Sequence, residues 1–191
     1  VEPNILTAFV KPFLPGTRVV WGVRASGRDL RQYERFIRLA FRLQCVLSRH
    51  ADLVIANSNA GRADHVARGF PADRTVVIPN GIDTERFRRD PEARHRVRAD
   101  LGIGDDQKLI GLVARLDPMK DHPTFLKAAA LVARHEPNVR FLCVGDGSAE
   151  YGERLRALAN DLGIADRVVW SGSRGDIAAV YNSLDLLVSS S

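Results

Sequence analysis

Two cations, Arg115 and Lys120, come directly after an apolar run and directly before the start signals of a helix. The run Leu109–Ala114 has the length and composition of a strand that is buried on both faces. Asp121 and Pro123 then provide an N-cap and a first-turn proline for the following helix. Because a helix N-terminus is electropositive, two more cations beside it form a site suited to a diphosphate. The sequence therefore predicts a phosphate-bearing ligand at this loop.

Two more loops that follow predicted strands contain candidate ligand-binding residues. One loop, 145–148, is rich in glycine, which lets backbone N–H groups approach a ligand closely. The other loop, 171–176, is polar and ends at Asp176, a predicted helix N-cap. Ligands of open parallel sheets bind at the carboxyl ends of the strands, where such loops meet. The candidates that join Arg115 and Lys120 there are Gly145, Asp146, Gly147, Ser173 and Arg174.

Two other nucleotide-binding patterns fail in this sequence. A dinucleotide site needs G-x-G-x-x-G between a strand and a helix. Gly145 and Gly147 begin that pattern, but the third position is Glu150, whose side chain would obstruct close packing and repel a pyrophosphate. The P-loop pattern G-x-x-x-x-G-K-[ST] does not occur. The three loops therefore favour a nucleotide phosphate and disfavour a nicotinamide enzyme.

The composition is that of an ordinary folded protein, with 45% of the 191 residues hydrophobic and 27% charged. The formal net charge is +5, but the 28 basic residues are scattered among acidic ones along most of the chain. A nucleic-acid surface would concentrate them, so no nucleic-acid partner is predicted. Cys45 and Cys143 lie far apart in apolar segments, which predicts buried free thiols. No His or Cys spacing indicates a metal site.

Short β-rich runs alternate with longer helical patterns along the chain. Strands are predicted at 18–23, 53–56, 75–78, 109–114, 139–144, 167–170 and 184–188, and helices at 30–49, 59–69, 90–101, 122–135, 149–162 and 176–183. Strands separated by crossover helices form parallel sheets with helices on both faces, so the predicted fold class is α/β. The turn Pro79–Asp83, followed by a highly charged stretch, predicts the passage from one α/β unit to a second.

Six segments in order resemble the retaining GT-B glycosyltransferases, and among them glycosyltransferase family four, which includes many bacterial cell-surface polysaccharide enzymes. They are ADLVIANS at 51–58, VIPNGID at 77–83, VARLDPMKDH at 113–122, VGDG at 144–147, WSGSR at 170–174 and YNSLDLL at 181–187. The resemblance implies the GT-B architecture, with two Rossmann-like parallel-sheet domains that are both incomplete here. It assigns 1–83 to the C-terminal part of the acceptor-side domain, 84–105 to a connecting segment and 106–191 to the N-terminal part of the donor domain.

The resemblance also implies the chemistry, which is transfer of a sugar from a nucleotide diphosphate donor with retention, without a metal or a cofactor. Arg115 and Lys120 match the family's basic pair that holds the donor diphosphate, where they would neutralise charge on the leaving phosphate. Residues 145–147 match the glycine turn near the donor. Ser173 and Arg174 lie in the region that borders the nucleotide base. The partners implied are a nucleotide sugar and a glycan or lipid-linked acceptor.

The sequence departs from the family pattern at two places. A glutamate pair that contacts the donor sugar and ribose follows the strand matched by 184–188, and the sequence ends at Ser191 before reaching it. The catalytic residues are therefore unknown, and the chain is expected to be an inactive fragment. Many members have a histidine just after the strand matched by 18–23, where this chain has Arg24. Arg24 keeps two interpretations, a contact to acceptor or donor phosphate and an ordinary surface or salt-bridged arginine.

The predicted helix 30–49 has an apolar face and a row of basic residues at near-helical spacing. The row is Arg31, Arg35, Arg38, Arg42 and Arg49. It is either a solvated face over a core face or a basic amphipathic helix that lies on an anionic membrane. No apolar run approaches the roughly 18 residues that a membrane span needs. The predicted location is therefore the cytoplasm, with the inner face of the membrane as an alternative.

Two other functions on the same fold stay open, a nucleotide-sugar-binding module without transfer activity and a nucleotide-sugar 2-epimerase.

His122 stands at a helix start beside Lys120, and no acidic orienting partner is visible near it. We therefore expect it to position the loop rather than to transfer protons. The other four histidines, at positions 50, 65, 95 and 135, lie in charged helical contexts and are predicted to be surface residues.

Overall fold

The computed structural model describes residues 2–24 and 35–190. The chain divides into two compact units, Val1–Ile82 and Asp83–Ser191. Each unit contains a parallel sheet and helices, which confirms the α/β prediction. The first part of the predicted helix 30–49, with Arg31, lies outside the described residues. Within the described part of the chain, none of the helices is both long and apolar enough to cross a membrane.

The first unit is built on a three-stranded parallel sheet. Its elements are α1 (Glu2–Val10), β1 (Val20–Val23), α2 (Arg35–Leu47), β2 (Leu53–Ala56), α3 (Asn59–Ala67) and β3 (Thr75–Val77), with the strand order β1-β2-β3. Trp21 on β1 is fully buried, and its indole N–H donates to the Thr7 hydroxyl on α1 at 2.9 Å. Val54 and Phe70 complete the same apolar cluster, so α1 and the sheet share one core.

The second unit is built on a four-stranded parallel sheet of order β6-β5-β4-β7. Its elements are α4 (Pro91–Asp100), β4 (Lys108–Val113), α5 (His122–Ala133), β5 (Val139–Val144), α6 (Ala149–Asp161), β6 (Val168–Gly172), α7 (Ile177–Ser183) and β7 (Leu186–Leu187). Leu112 and Phe141 pack with residues of α5 and α6 on one side of the sheet, and Leu109 and Leu142 pack with Val180 of α7 in a second cluster. The central strands are thus covered on both faces, as their apolar composition predicts.

Several element predictions need correction. Helix α1 was not predicted. The last strand is Leu186–Leu187 rather than 184–188, because Leu184 packs over Gly111 and Asp185 turns its carboxylate onto the Leu109 N–H. The predicted division into 1–83, 84–105 and 106–191 stays a prediction; residues 84–105 cluster with the second unit, where α4 packs against α7.

Two predictions of side-chain burial also fail. His65 is 5% exposed and not a surface residue, because its Nδ1 lies 2.8 Å from the Gly61 carbonyl oxygen and its ring packs edge-on against Phe70. Cys143 is buried, as predicted, but Cys45 is partly exposed on α2. Burial raises the pKa of the Cys143 thiol to about 12. Cys143 therefore behaves as a small apolar side chain of β5.

Candidate functional site

The three loops predicted from the sequence meet at the carboxyl edge of the second sheet. The Leu116 N–H donates to the Asp146 carbonyl at 2.9 Å, which joins the loop after β4 to the loop after β5. The Gly145 N–H donates to the Gly172 carbonyl at 2.9 Å, which joins the loop after β5 to the end of β6. Direct backbone hydrogen bonds therefore hold the three candidate loops side by side.

The glycines of the middle loop are required by this contact between loops. A Cβ on Gly145 would lie 2.2 Å from the Ala114 carbonyl oxygen, and a Cβ on Gly147 would lie 2.1 Å from that of Leu116. Gly145 also has φ +138°, a conformation that other residues rarely adopt. The glycine-rich sequence predicts that these glycines bring N–H groups to a ligand. The Gly145 N–H is instead bonded to Gly172, so this glycine acts by permitting close packing of the loops.

Arg115 and Lys120 both line a cleft of about 380 Å³ beside the end of β7. The Arg115 side chain is 78% exposed, and its Nη2 lies 3.7 Å from Asp117 Oδ2, a distant pair that solvent screens. In the described part of the chain, no carboxylate oxygen lies within 4.0 Å of Lys120 Nζ. The structure thus places the predicted basic pair in one cleft, and the lysine has no carboxylate partner among residues 2–24 and 35–190.

The N-terminus of α5 is closed by its own cap. Asp121 Oδ1 accepts from the Thr124 N–H at 3.3 Å, which confirms the predicted N-cap. The carboxylate of Asp121 occupies the place where an anion would meet the helix dipole. The two cations, rather than a free helix end, are therefore the groups that this loop offers to an anion, which differs from the prediction that the helix N-terminus contributes.

His122, the first residue of α5, is buried beneath the same loop. Its side chain is fully buried, and neither ring nitrogen has a hydrogen-bond partner among the described residues. Burial lowers the pKa of His122, so the imidazole is neutral near neutral pH. A group that transfers protons needs access to the proton and an orienting partner, and His122 has neither here.

Arg174 in the third loop is held by a carboxylate. Its Nε and Nη2 donate to the two carboxylate oxygens of Asp176 at 2.8 and 2.6 Å, and Asp100 Oδ2 lies 3.9 Å from Nη2. The bidentate bond to Arg174 lowers the pKa of Asp176. Asp176 stands at the N-cap position of α7, but its side chain makes no capping bond, which corrects the prediction. Arg174 thus shapes its loop, and the exposed Ser173 stands beside it.

The first unit has a cleft of its own, of about 320 Å³, at the carboxyl ends of its strands. Arg24 follows β1, Asn57 follows β2 and Asn80 follows β3, and all three line this cleft. Arg24 is exposed. The cleft therefore combines a cationic side chain with two amide side chains.

The described residues offer no metal centre. No three side chains among the His, Cys, Asp and Glu of residues 2–24 and 35–190 lie together as metal ligands would. The sequence-based expectation that neither metal nor cofactor takes part stays a prediction.

Comparison with known families agrees with this arrangement. The model of glycosyl transferases group 1 matches residues 93–191, which hold all three loops, and the model of glycosyltransferase family 4 matches residues 3–86. The chain belongs to the group 1 glycosyl transferases. The family predicted from the six sequence segments is confirmed.

Two of the relatives that match this chain are named for inositol-containing compounds. D-inositol 3-phosphate glycosyltransferase of Segniliparus rotundus is 34% identical over 143 residues, which cover 72% of this chain and 31% of that protein. A GDP-mannose-dependent alpha-(1-6)-phosphatidylinositol monomannoside mannosyltransferase of Mycolicibacterium smegmatis is 34% identical over 121 residues, 63% of this chain and 31% of that protein. The chain therefore aligns with about a third of the length of these relatives.

Several solved structures share the fold of this chain. Anabaena Alr3699/HepE in complex with UDP has a TM-score of 0.85 at 26% identity and covers 97% of this chain, which spans 50% of HepE. The HepE complex with UDP-glucose has a TM-score of 0.83 at 28% identity. WaaG, a glycosyltransferase involved in lipopolysaccharide biosynthesis, is 21% identical with a TM-score of 0.68. The GT-B fold is thereby confirmed for this group 1 chain.

One residue beside the candidate site, Ser190, was not predicted from the sequence. The Ser190 hydroxyl donates to the carbonyl oxygens of Lys120 and Asp121, at 2.9 and 3.0 Å. Its signal in the sequence is weak, a polar residue after an apolar strand pattern. A contact between positions 70 residues apart has no local signature.

Proposed function

We propose that this chain belongs to a retaining glycosyltransferase that uses a nucleotide diphosphate sugar, and that its second unit binds the donor. The observation that supports it most is the cleft in which Arg115 and Lys120 stand together, the lysine without a carboxylate partner among the described residues. Membership in the group 1 family and the UDP complexes of HepE support the same ligand class. The donor diphosphate lies between the two cations, beside Gly145, Asp146 and Gly147. The nucleotide base lies toward Ser173 and Arg174.

In this mechanism the two cations take the role that a metal plays in other transferases. As the bond from the anomeric carbon to the diphosphate breaks, negative charge grows on the leaving phosphate oxygen. Arg115 and Lys120 stabilise that charge by hydrogen bonds that strengthen toward the transition state. No cofactor or metal enters the proposal.

We expect the 191 residues alone to lack transfer activity. The glutamate pair that the family resemblance assigns to the donor sugar and ribose is not among them. Without those contacts the sugar is not oriented, and orientation contributes a large part of catalysis.

The acceptor is a glycan or a lipid-linked sugar in this proposal. The relatives are named for D-inositol 3-phosphate and for a phosphatidylinositol monomannoside, both of which contain phosphate. Arg24, Asn57 and Asn80 line a cleft at the carboxyl ends of β1 to β3, where an exposed guanidinium can pair with such a group. The alternative for Arg24, an ordinary surface arginine, predicts that Arg24→Ala leaves the KM of the acceptor unchanged.

The third part of the proposal concerns location: the protein is cytoplasmic and contacts the inner face of the membrane peripherally. Leu39 and Val46 on α2 are 64% and 56% exposed, and the exposed Arg35 and Arg42 share their side of the helix. Sedimentation with phosphatidylglycerol vesicles tests it. Leu39→Glu should abolish binding, while Leu131→Glu, at a 59% exposed site on α5, should not. Equal binding by both variants contradicts the proposal.

Product analysis with the full-length gene product separates the remaining functions. Proton NMR of the product formed from UDP- or GDP-hexose should give the anomeric configuration of the donor. The inverted anomer would contradict the mechanism. Conversion of the donor without an acceptor would indicate a 2-epimerase, and binding without turnover would indicate a nucleotide-sugar-binding module.

A further inference from the structure

Ser190 fixes the main chain of the loop that holds Lys120. Its hydroxyl is shared between the carbonyl oxygens of Lys120, at 2.9 Å, and Asp121, at 3.0 Å. On the other side of the loop, the Lys120 N–H donates to the Asp117 carbonyl at 2.9 Å. The peptide groups around Lys120 are therefore bonded on both sides.

The conformation of this loop needs such support. Asp121 has φ +46° and ψ +48°, and it is the one non-glycine residue of the described chain in the left-handed region. This conformation is unfavourable for residues other than glycine, although aspartate tolerates it better than most, so neighbouring hydrogen bonds help to hold it. Ser190 binds the carbonyl oxygen of Asp121 itself and that of the residue before it, so it acts on the strained peptide directly.

Hydrogen bonds between β4 and the segment 185–188 fix the position of Ser190. The Asp185 N–H donates to the Leu109 carbonyl at 2.9 Å, and the Leu109 N–H donates back to Asp185 Oδ2 at 2.8 Å. The Val188 N–H donates to the Gly111 carbonyl at 2.8 Å. These bonds fix the register of β7 against β4 and carry the chain to Ser190. Ser190 therefore reaches the loop from a segment that is hydrogen-bonded to β4.

We propose that Ser190 is a positioning residue for Lys120 in donor binding. Ser190 itself does not contact the diphosphate. Its hydroxyl keeps the Lys120 main chain in the conformation that aims the ammonium into the cleft. The inference rests on the proposed function, in which Lys120 binds the donor diphosphate.

A double-mutant cycle on the full-length gene product tests the inference. The affinities for UDP and GDP are measured by calorimetry for the wild type and for Ser190→Ala, Lys120→Ala and the double variant. Because one hydrogen bond is lost, Ser190→Ala should weaken binding about 5- to 10-fold. In the Lys120→Ala background the same change should cost less than about twofold, since its effect passes through Lys120. Ser190→Thr, which keeps the hydroxyl, should restore the affinity, and the KM of the nucleotide sugar should rise more than kcat falls in Ser190→Ala.

The outcomes separate the inference from the proposed function. If Lys120→Ala binds as tightly as the wild type, the proposed diphosphate site fails. If Lys120→Ala weakens binding but Ser190→Ala does not, the positioning role is overturned and the site stands. Equal losses from Ser190→Ala in both backgrounds would also overturn it, because a general structural effect does not depend on Lys120.

Discussion

The three cations at the proposed donor site differ in their partners, and this difference sets what each can do. Arg174 is bonded to both oxygens of Asp176, and Arg115 lies 3.7 Å from Asp117. Lys120 has no such carboxylate among the described residues. A cation without a partner gains the most from an incoming phosphate, since no existing ion pair has to break. Lys120 is therefore the residue on which we expect donor binding to depend most.

The buried His122 predicts how stability changes with pH. Burial lowers the pKa of His122 in the folded chain. At pH values near and below the ordinary histidine pKa, the unfolded chain therefore binds this proton more readily than the folded chain does. Stability should fall as the pH drops from about 7.5 to about 5.5, through the unfolded-state pKa near 6.5. Thermal unfolding at several pH values measures this. His122→Leu should flatten the dependence, and an equally steep dependence in that variant would contradict the assignment.

The glycines of the middle loop predict a large loss of stability on substitution. In Gly147→Ala the new methyl group would overlap the Leu116 carbonyl oxygen, so the loops must separate. We expect a loss of about 2 to 4 kcal/mol in the free energy of unfolding. Gly175→Ala is the matched control, because a Cβ there meets nothing within 4 Å. Denaturant titration compares the two, and equal stabilities would show that the loops are not packed as described.

At the scale of elements, two arginines of α4 join the end of α7 to the sheet. Arg98 is 1% exposed and donates to the Ser183 and Gly104 carbonyls at 3.1 and 2.6 Å. Arg94 Nη2 lies 2.8 Å from Asp185 Oδ1. Although burial raises it, the pKa of Asp185 lies below its ordinary value, because the Leu109 N–H and the two arginines stabilise the carboxylate. Helix α4 is thus a structural part of the second unit.

Removal of the buried guanidinium tests that role. Arg98→Ala leaves buried carbonyl groups without a donor, and we expect the free energy of unfolding to fall by about 3 to 5 kcal/mol. Arg96→Ala, at an exposed position on the same helix, should change it by less than about 0.5 kcal/mol. Chemical denaturation of both variants measures the difference. Similar values would contradict the buried network.

Some strands could be predicted from the sequence, whereas contacts between distant positions could not. The strands β2 and β5 begin and end at the predicted residues, because apolar runs between turn signals define them locally. The hydrogen bonds from Arg98 to Ser183 and from Ser190 to Lys120 join positions that are 85 and 70 residues apart. No local sequence pattern predicts contacts over such separations. The residue types at the site were predictable. The Asp121 cap of α5 was also predictable from residue type, whereas the pairing of Arg174 with Asp176 depends on side-chain geometry.

For the whole molecule, the two units differ in what they offer a ligand. The second unit contains the basic pair and the three loops, and the first contains the cleft beside Arg24. The family resemblance assigns the contacts to sugar and ribose to a glutamate pair, and no such pair is matched among these 191 residues. We therefore expect the isolated 191-residue chain to bind UDP or GDP only weakly. Calorimetry measures this, and tight, saturable binding would show that the second unit suffices.

The most direct test of the central claim is the affinity of the full-length gene product for UDP and GDP after removal of Lys120. Because a charge-assisted hydrogen bond to phosphate is lost, Lys120→Ala should weaken binding about 10-fold or more. Lys127→Ala, which removes an exposed lysine from α5, should leave it unchanged. Unchanged affinity in Lys120→Ala, or an equal loss in both variants, would contradict a diphosphate site at this loop.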